Sequence, residues 1–307
     1  MNQAGETGFI PSYLRLPREE LKKRINRAGE ILRCCTLCPR NCGVDRRAGE
    51  LGFCRTGDRP YVSSFNPHFG EEAPLVGSRG SGTIFFSHCN LGCLFCQNWT
   101  ISHAGEGDEI SCPSLAEMMV TLQERYGCHN INFVTPTHQV FQILKSLDTA
   151  IDGGLKIPLV YNCGGYEAVE TLQLLDGIVD IYMPDFKFIA AETAREYAGA
   201  EDYPTIAQAA IREMHRQVGD LVMDRQGIAR RGLIVRHLVL PEGLAGTEAV
   251  ARFLAEEISP HTYTNIMDQY YPCYQAGDHR PLDRRLTGRE YTRALRAARE
   301  AGLTRLD

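Results

Sequence analysis

Long apolar runs are missing from this chain of 307 residues: nowhere do 18 apolar residues follow one another, and the opening stretch MNQAGETGFIPSYLRLPREELKKR holds no unbroken apolar core. Neither a membrane span nor an export signal is legible, and the expectation is a cytoplasmic protein with no membrane partner. A basic surplus is missing too. Lys and Arg number 33 against 38 Asp and Glu, a formal net charge of −5, so the field that grips a phosphate backbone is absent and nucleic acid is not expected as a partner. Tryptophan is reduced to Trp99, and internal repeats and low-complexity tracts are lacking. Disorder is excluded, because 43% of the residues are hydrophobic, enough for a packed core.

Cysteine is in excess, with 12 copies. A reducing compartment argues against a disulfide framework and leaves metal ligation or thiol chemistry to explain grouped cysteines. Cys34, Cys35, Cys38, Cys42 and Cys54 form one group and Cys89, Cys93 and Cys96 another. Cys112, Cys128 and Cys273 read as small core residues, and Cys163 stands apart at a predicted strand end.

From residue 83 onward, short apolar runs alternate with helical patterns. The runs Thr83–Ser87, Ile131–Thr135, Pro158–Cys163, Val179–Asp185, Ile234–Leu240 and Tyr263–Tyr270 are near-continuously apolar, which suits parallel strands buried on both faces. Helices are expected over Ser114–Tyr126, Val140–Ile151, Tyr166–Leu175, Ala190–Tyr197, Tyr203–Val218, Thr247–Ile258 and Thr287–Ala301, with capping boxes from Ser114 to Glu117 and from Thr287 to Glu290. This order predicts an α/β fold, a partial (β/α)6 TIM-like barrel of parallel strands over residues 81–307. Residues 1–80 are expected to form an N-terminal extension, with one helix over Arg18–Arg33 and an irregular Cys-rich segment from Cys34 to Gly82. In a barrel the chemistry sits at the C-terminal strand ends.

The triplet Cys89-x3-Cys93-x2-Cys96 directly follows the first predicted strand. Three thiolates on one tight loop can hold three corners of a [4Fe–4S] cube and leave one iron free of protein ligands. Zinc would want a fourth ligand, and His88 should point to the opposite face of the strand. The N-terminal set, Cys35-x2-Cys38-x3-Cys42-x11-Cys54, reads as a closed four-ligand site; a second iron–sulfur cluster and a structural zinc both fit it.

These motifs carry a resemblance. A Cys-x3-Cys-x-aromatic-Cys triplet after the first barrel strand resembles the radical S-adenosylmethionine (SAM) superfamily. The segments CTLCPRNCGV, RGSGTIFF, CNLGCLFCQNW, HNINFVTPTH, VYNCGGYE, LLDGIVDIYMPDFK and VRHLVLP resemble its pyruvate formate-lyase activating enzyme-like family, from about Cys35 to Gly302. The resemblance implies that Cys89, Cys93 and Cys96 ligate the [4Fe–4S] cluster and that SAM is cleaved reductively to a 5′-deoxyadenosyl radical, which abstracts a substrate hydrogen. It places Phe95 near the adenine, and Thr135, Thr137 and His138 where relatives receive the SAM amino group. Asn162, Asp185 and Lys187 then approach the SAM carboxylate, Arg236 grips it, and Gln269, with Tyr270, meets the ribose or the substrate. Asn162 replaces an aspartate there, which removes one anionic ligand of a cation site. The implied partners are a low-potential electron donor of flavodoxin or ferredoxin type and a protein whose glycine is oxidised to a radical. In a reductive enzyme, the N-terminal cysteines would favour a cluster acting as a relay. A small-molecule or peptide modifier, or a non-catalytic zinc or iron–sulfur scaffold, are the other readings of the same residues.

Overall fold

The computed structural model describes residues 9–307. Six parallel strands form its centre: β2 (Ser81–Phe86), β4 (Ile131–Val134), β5 (Leu159–Cys163), β6 (Ile181–Pro184), β8 (Ala229–Leu238) and β9 (Tyr263–Met267), in that spatial order. They coincide with the six apolar runs. Around them lie β1 (Tyr61–His68), antiparallel to β2; β3 (Asp108–Glu109), antiparallel to β1; β7 (Val222–Met223), antiparallel to β8; and β10 (Arg305–Leu306), parallel to β9. The sheet does not close: β3 and β10 are its outer strands among the described residues.

Helices return each strand to the next and bury one face on the sheet. Val140–Asp152 places Ile143, Leu144, Leu147 and Ala150 inward, and Tyr203–Val218 does so with Ala207, Ala210, Ile211 and Met214. Side chains of β2, β4 and the covering helices form one continuous core. A smaller cluster of Val160, Ile181, Met183, Ile234 and Leu75 fills the barrel interior, where the short helix Ala73–Val76 plugs it.

Three expectations change. β1 lies inside the segment expected to be irregular; Asn66 and Pro67 hide it, and its half-exposed pattern is that of an antiparallel strand, not an apolar run. The helix Cys112–Glu124 is capped by Ser111, whose side chain accepts from the Ser114 amide, because Pro113 opens its first turn. The helix beginning at Thr247 ends at Phe253 and runs on as a π-turn over Leu254–Ile258. The capping box from Thr287 to Glu290 is present in both directions. Among the described residues no helix is long and apolar enough to cross a membrane.

Candidate functional site

The loop after β2 carries the cysteine triplet and is pinned on several sides. The amides of Gly92 and Leu94 donate to the carbonyls of Ala198 and Tyr197 at 3.1 and 3.0 Å, and Asn90 donates through Nδ2 to the Tyr166 carbonyl at 2.7 Å. The Leu91 amide donates to Cys89 Sγ at 3.3 Å. Cys96 Sγ lies 3.0 Å from Ser102 Oγ, and His103 Nε2 lies 3.1 Å from the Cys93 carbonyl. Neither Ser102 nor His103 was legible as a site residue; only their place in the short helix and turn after Trp99 hints at it. His88 meets the Tyr61 ring edge-on; it lies past the end of β2 with φ +66°, so this turn and not the strand period sets its direction.

The triplet opens onto a cavity of about 230 Å³, bordered also by Phe95, Thr135, Asn162, Asp185, Lys187, Arg236 and Gln269. Ten of the sequence-derived site residues therefore meet in one place. A larger cleft of about 480 Å³ between Val239–Arg252 and Glu290–Ala297 holds no cysteine. Parallel register explains the convergence: Asn162 faces Val134 on one side and Met183 on the other, and Asp185 bridges Arg236. Gly165 makes the β5 turn fit, since a Cβ there would meet the Asp185 carbonyl and φ is +79°.

Opposite charges fill the far wall. Asp185 Oδ2 accepts from Lys187 Nζ at 2.6 Å and its Oδ1 from Arg236 Nε at 2.8 Å. Burial pushes the Asp185 carboxyl up, but the Arg236 guanidinium and Lys187 ammonium outweigh it and hold its pKa below the usual range. Burial likewise lowers Lys187, and Asp185 with Cys93 more than offsets it. Arg236 is partly engaged: Nη2 donates to Asn162 Oδ1 at 2.8 Å, while Nη1 makes no hydrogen bond and lies 3.7 Å from Glu71 Oε2. Lys187 and Arg236 both border the cavity, so two cations stand at this wall, with Arg236 also orienting Asp185 and Asn162. Glu71 was missed because β1 was missed.

Thr137 and His138 do not reach the cavity. After Thr135, whose φ of +59° is itself unusual for a side-chain-bearing residue, the chain folds into a 3-10 turn over Thr137–Gln139. Thr137 Oγ1 donates to Glu167 Oε1 at 2.6 Å, and His138 Nε2 lies 2.8 Å from the Ser87 carbonyl. Burial lowers the His138 pKa to about 3, so the ring is neutral. Phe95 packs edge-on against Phe188 and Tyr270, while Tyr270 donates its hydroxyl to the Leu282 carbonyl, away from any ribose. Trp99 is no core anchor; it is 39% exposed and stacks on Tyr274.

Burial also pushes the Cys93 thiol up to about 12 and raises Cys89, with Lys187 acting against both. Such thiols become ligands only when a metal displaces their protons. Among the described residues, no three Cys, His, Asp or Glu side chains already converge on a single ion. The triplet instead edges a volume, which suits a cube whose three thiolates each take a separate iron. The residues therefore fit a cluster better than a lone ion.

No protein-family model matches the chain. It is 35% identical over 291 residues to the uncharacterized protein MJ0674 of Methanocaldococcus jannaschii, covering 92% of this chain and 79% of that one. It is 28% identical over 158 residues to the uncharacterized protein MJ0808 of the same organism, covering 46% of each. Among solved structures it is similar to a radical SAM methyltransferase from Sphaerobacter thermophilus, with a TM-score of 0.51 at 14% identity over 73% of this chain and 65% of that one. It is also similar to HydG, a maturase of the [FeFe]-hydrogenase, with a TM-score of 0.50 at 14% identity over 73% and 50%. The chain spans less than two thirds of either solved chain, and at this identity the likeness is one of fold.

Proposed function

Since the chain belongs to the family of MJ0674 and has the partial-barrel fold of a radical SAM methyltransferase, we propose that it is a radical SAM enzyme. The observation that carries this reading is the meeting of the Cys89/Cys93/Cys96 loop with Thr135, Asn162, Asp185, Lys187 and Arg236 around one cavity.

Cys89, Cys93 and Cys96 hold a [4Fe–4S] cluster, and SAM occupies the cavity beside it. When bound, the cluster would supply the electron for reductive cleavage of SAM and so the hydrogen-abstracting chemistry at the substrate. The chain's own part is orientation and shielding. Lys187 attracts the carboxylate end of SAM, and Asp185, locked by Arg236, keeps that ammonium in place. The Thr135 backbone and the Asn162 side chain border the same end. Phe95, backed by Phe188 and Tyr270, gives the cavity a dry aromatic wall. Lys187 also lies close enough to Cys93 to favour its thiolate.

The finer reading is activation of a partner protein by hydrogen abstraction from a glycine, with a flavodoxin or ferredoxin as reductant in the cytoplasm. Its support is the resemblance of the motifs, together with exposed Trp99 and Tyr274 beside the site as a surface for a large substrate. Anaerobic reconstitution with iron and sulfide, followed by assay for 5′-deoxyadenosine under dithionite, tests the central reading. Absence of SAM cleavage by a fully reconstituted protein would refute it.

A further inference from the structure

Residues 35–57 are dense but almost without regular structure. Their one element is the 3-10 turn Arg46–Ala48, and besides cysteine their apolar contribution is little more than buried Leu37 and partly buried Val44. A core that small does not hold a loop of this length. Yet Arg46 is 1% exposed within it.

What gathers the segment is sulfur. Cys35, Cys38, Cys42 and Cys54 border one closed cavity of about 10 Å³. Two of the sulfurs face an N–H donor. The Phe53 amide donates to Cys42 Sγ at 3.3 Å, and Arg46 NH1 lies 3.9 Å from Cys35 Sγ. Burial raises the Cys38 and Cys54 thiols, and the backbones two residues on, at Arg40 and Thr56, act against it. A thiol is a weak acceptor, whereas a metal-bound thiolate is a strong one whose orientation such N–H groups fix. The same pattern, an amide two residues on, serves Cys89 in the other set.

Two arginines lead from this segment to the proposed radical site. Arg40 donates through Nε to the Asn90 carbonyl, inside the cysteine-triplet loop, at 2.9 Å, and through NH1 to the Gly199 carbonyl at 2.7 Å. Arg46 donates through NH2 to the His138 carbonyl at 2.9 Å and to the Gly57 carbonyl at 2.7 Å. One strut thus reaches each of the two loops that border the 230 Å³ cavity.

We propose that Cys35, Cys38, Cys42 and Cys54 hold a four-thiolate centre for a thiophilic metal, and that this centre braces the Cys89–Cys96 and Thr135–Gln139 loops through Arg40 and Arg46. As they stand these four sulfurs do not converge on a single ion either; the void between them admits about one water-sized sphere, so uptake of an ion or of a cluster draws the sulfurs around it. The metal half stands independently of the proposed function, and the brace concerns the same site but is read without turnover.

The test for the metal is a full-length chain carrying Cys89→Ala, Cys93→Ala and Cys96→Ala, purified anaerobically and analysed for iron, zinc and sulfide. One zinc per chain without sulfide, or iron with matching sulfide, supports the centre and identifies its metal. No bound metal in the folded variant overturns it, as does metal that survives the further change Cys54→Ser. The test for the brace is hydrogen exchange in otherwise native chain, comparing wild type with Cys54→Ser. Exchange in Cys89–Cys96 and Thr135–Gln139 should quicken by about tenfold or more, with β5 and β6 unchanged as the check on folding. Unchanged exchange in both loops overturns the brace even where the metal is confirmed, and leaves the radical SAM reading untouched.

Discussion

The two cysteine sets are held in opposite ways. The Cys89–Cys96 loop leaves a strand paired on both sides; its backbone is tied to Ala198 and Tyr197, and its Asn90 side chain to Tyr166, by ordinary hydrogen bonds. Its ligands are positioned by the fold. The segment Cys35–Cys54 has no strand and little core, and its order rests on turn hydrogen bonds such as Cys35–Val44 and Asp45–Glu50 and on N–H groups that point at sulfur. The lesson is that the same residue type can finish a scaffold in one place and substitute for one in another. Loss of a ligand should therefore abolish chemistry at the first set and loosen structure at the second.

The largest effect should come from Cys93→Ala. Cys93 is a small side chain in a loop anchored elsewhere, so its loss should eliminate 5′-deoxyadenosine formation and the corresponding iron while the thermal midpoint stays within a few degrees. The contrast is with Cys54→Ser, which should open residues 35–57 to proteolysis. Formation of 5′-deoxyadenosine by Cys93→Ala at the wild-type rate would remove the triplet from the chemistry and erase the comparison.

Next in size is Arg236→Ala. Arg236 ties Asp185 to Asn162, and each charge-assisted bond contributes about 1.5–3 kcal/mol. Its loss removes a cation from the cavity wall and frees Asp185, and with it the Lys187 ammonium, so SAM binding should weaken by roughly tenfold or more while the cluster's absorption stays intact, because none of the triplet's own hydrogen bonds involves it. An unchanged SAM dissociation constant would confine Arg236 to a structural role.

Much of this was legible beforehand, for identifiable reasons. Strands buried on both faces announce themselves as apolar runs, so β2, β4, β5, β6, β8 and β9 and their C-terminal ends were placed correctly. Period-2 alternation then sent Arg236 into the barrel and His237 outward, where its ring meets the Phe186 carbonyl and Thr247 Oγ1. What failed was whatever depends on a turn. Thr135, Thr137 and His138 are neighbours in sequence, but the left-handed Thr135 and the 3-10 turn after it send one into the cavity and two beneath it. β1, with Asn66 and Pro67, offered no apolar run, so the partners His68 and Glu71 near Arg236 stayed hidden.

Glu167 gives a smaller effect, and one that belongs to the barrel alone. It is buried, accepts from Thr137 Oγ1 at 2.6 Å and from Tyr161 OH at 2.9 Å, and burial still pushes its pKa up to about 7. A carboxyl raised in the fold contributes stability that is complete below pH 4.5, its ordinary value, and is lost as pH climbs to 7. The loss is about 3 kcal/mol. Glu167→Gln should flatten that part of the profile. Asp180, raised by burial to about 6, moves in an overlapping window, so the quantity to measure is the difference between wild type and variant in urea unfolding at pH 5 and pH 7.5. Equal slopes for both would clear Glu167 of the role.

The smallest effect tests the N-terminal segment without touching a sulfur. Arg40, the strut to Asn90, lies with its guanidinium 3.9 Å from the centroid of the Phe53 ring. Phe53 is 47% exposed, so its value is that of a half-solvated cation–π pair, about 0.5–1 kcal/mol. Phe53→Ala leaves its own amide in place to donate to Cys42 and leaves all four cysteines, so bound metal should not change. Only Arg40 gains freedom. Hydrogen exchange in Cys89–Cys96 should then quicken about two- to fivefold, with Thr135–Gln139, served by Arg46, unaffected. A rise in both loops would mean that Phe53 supports the segment as a whole, and no rise in either would show that Arg40 holds Asn90 without the ring beneath it.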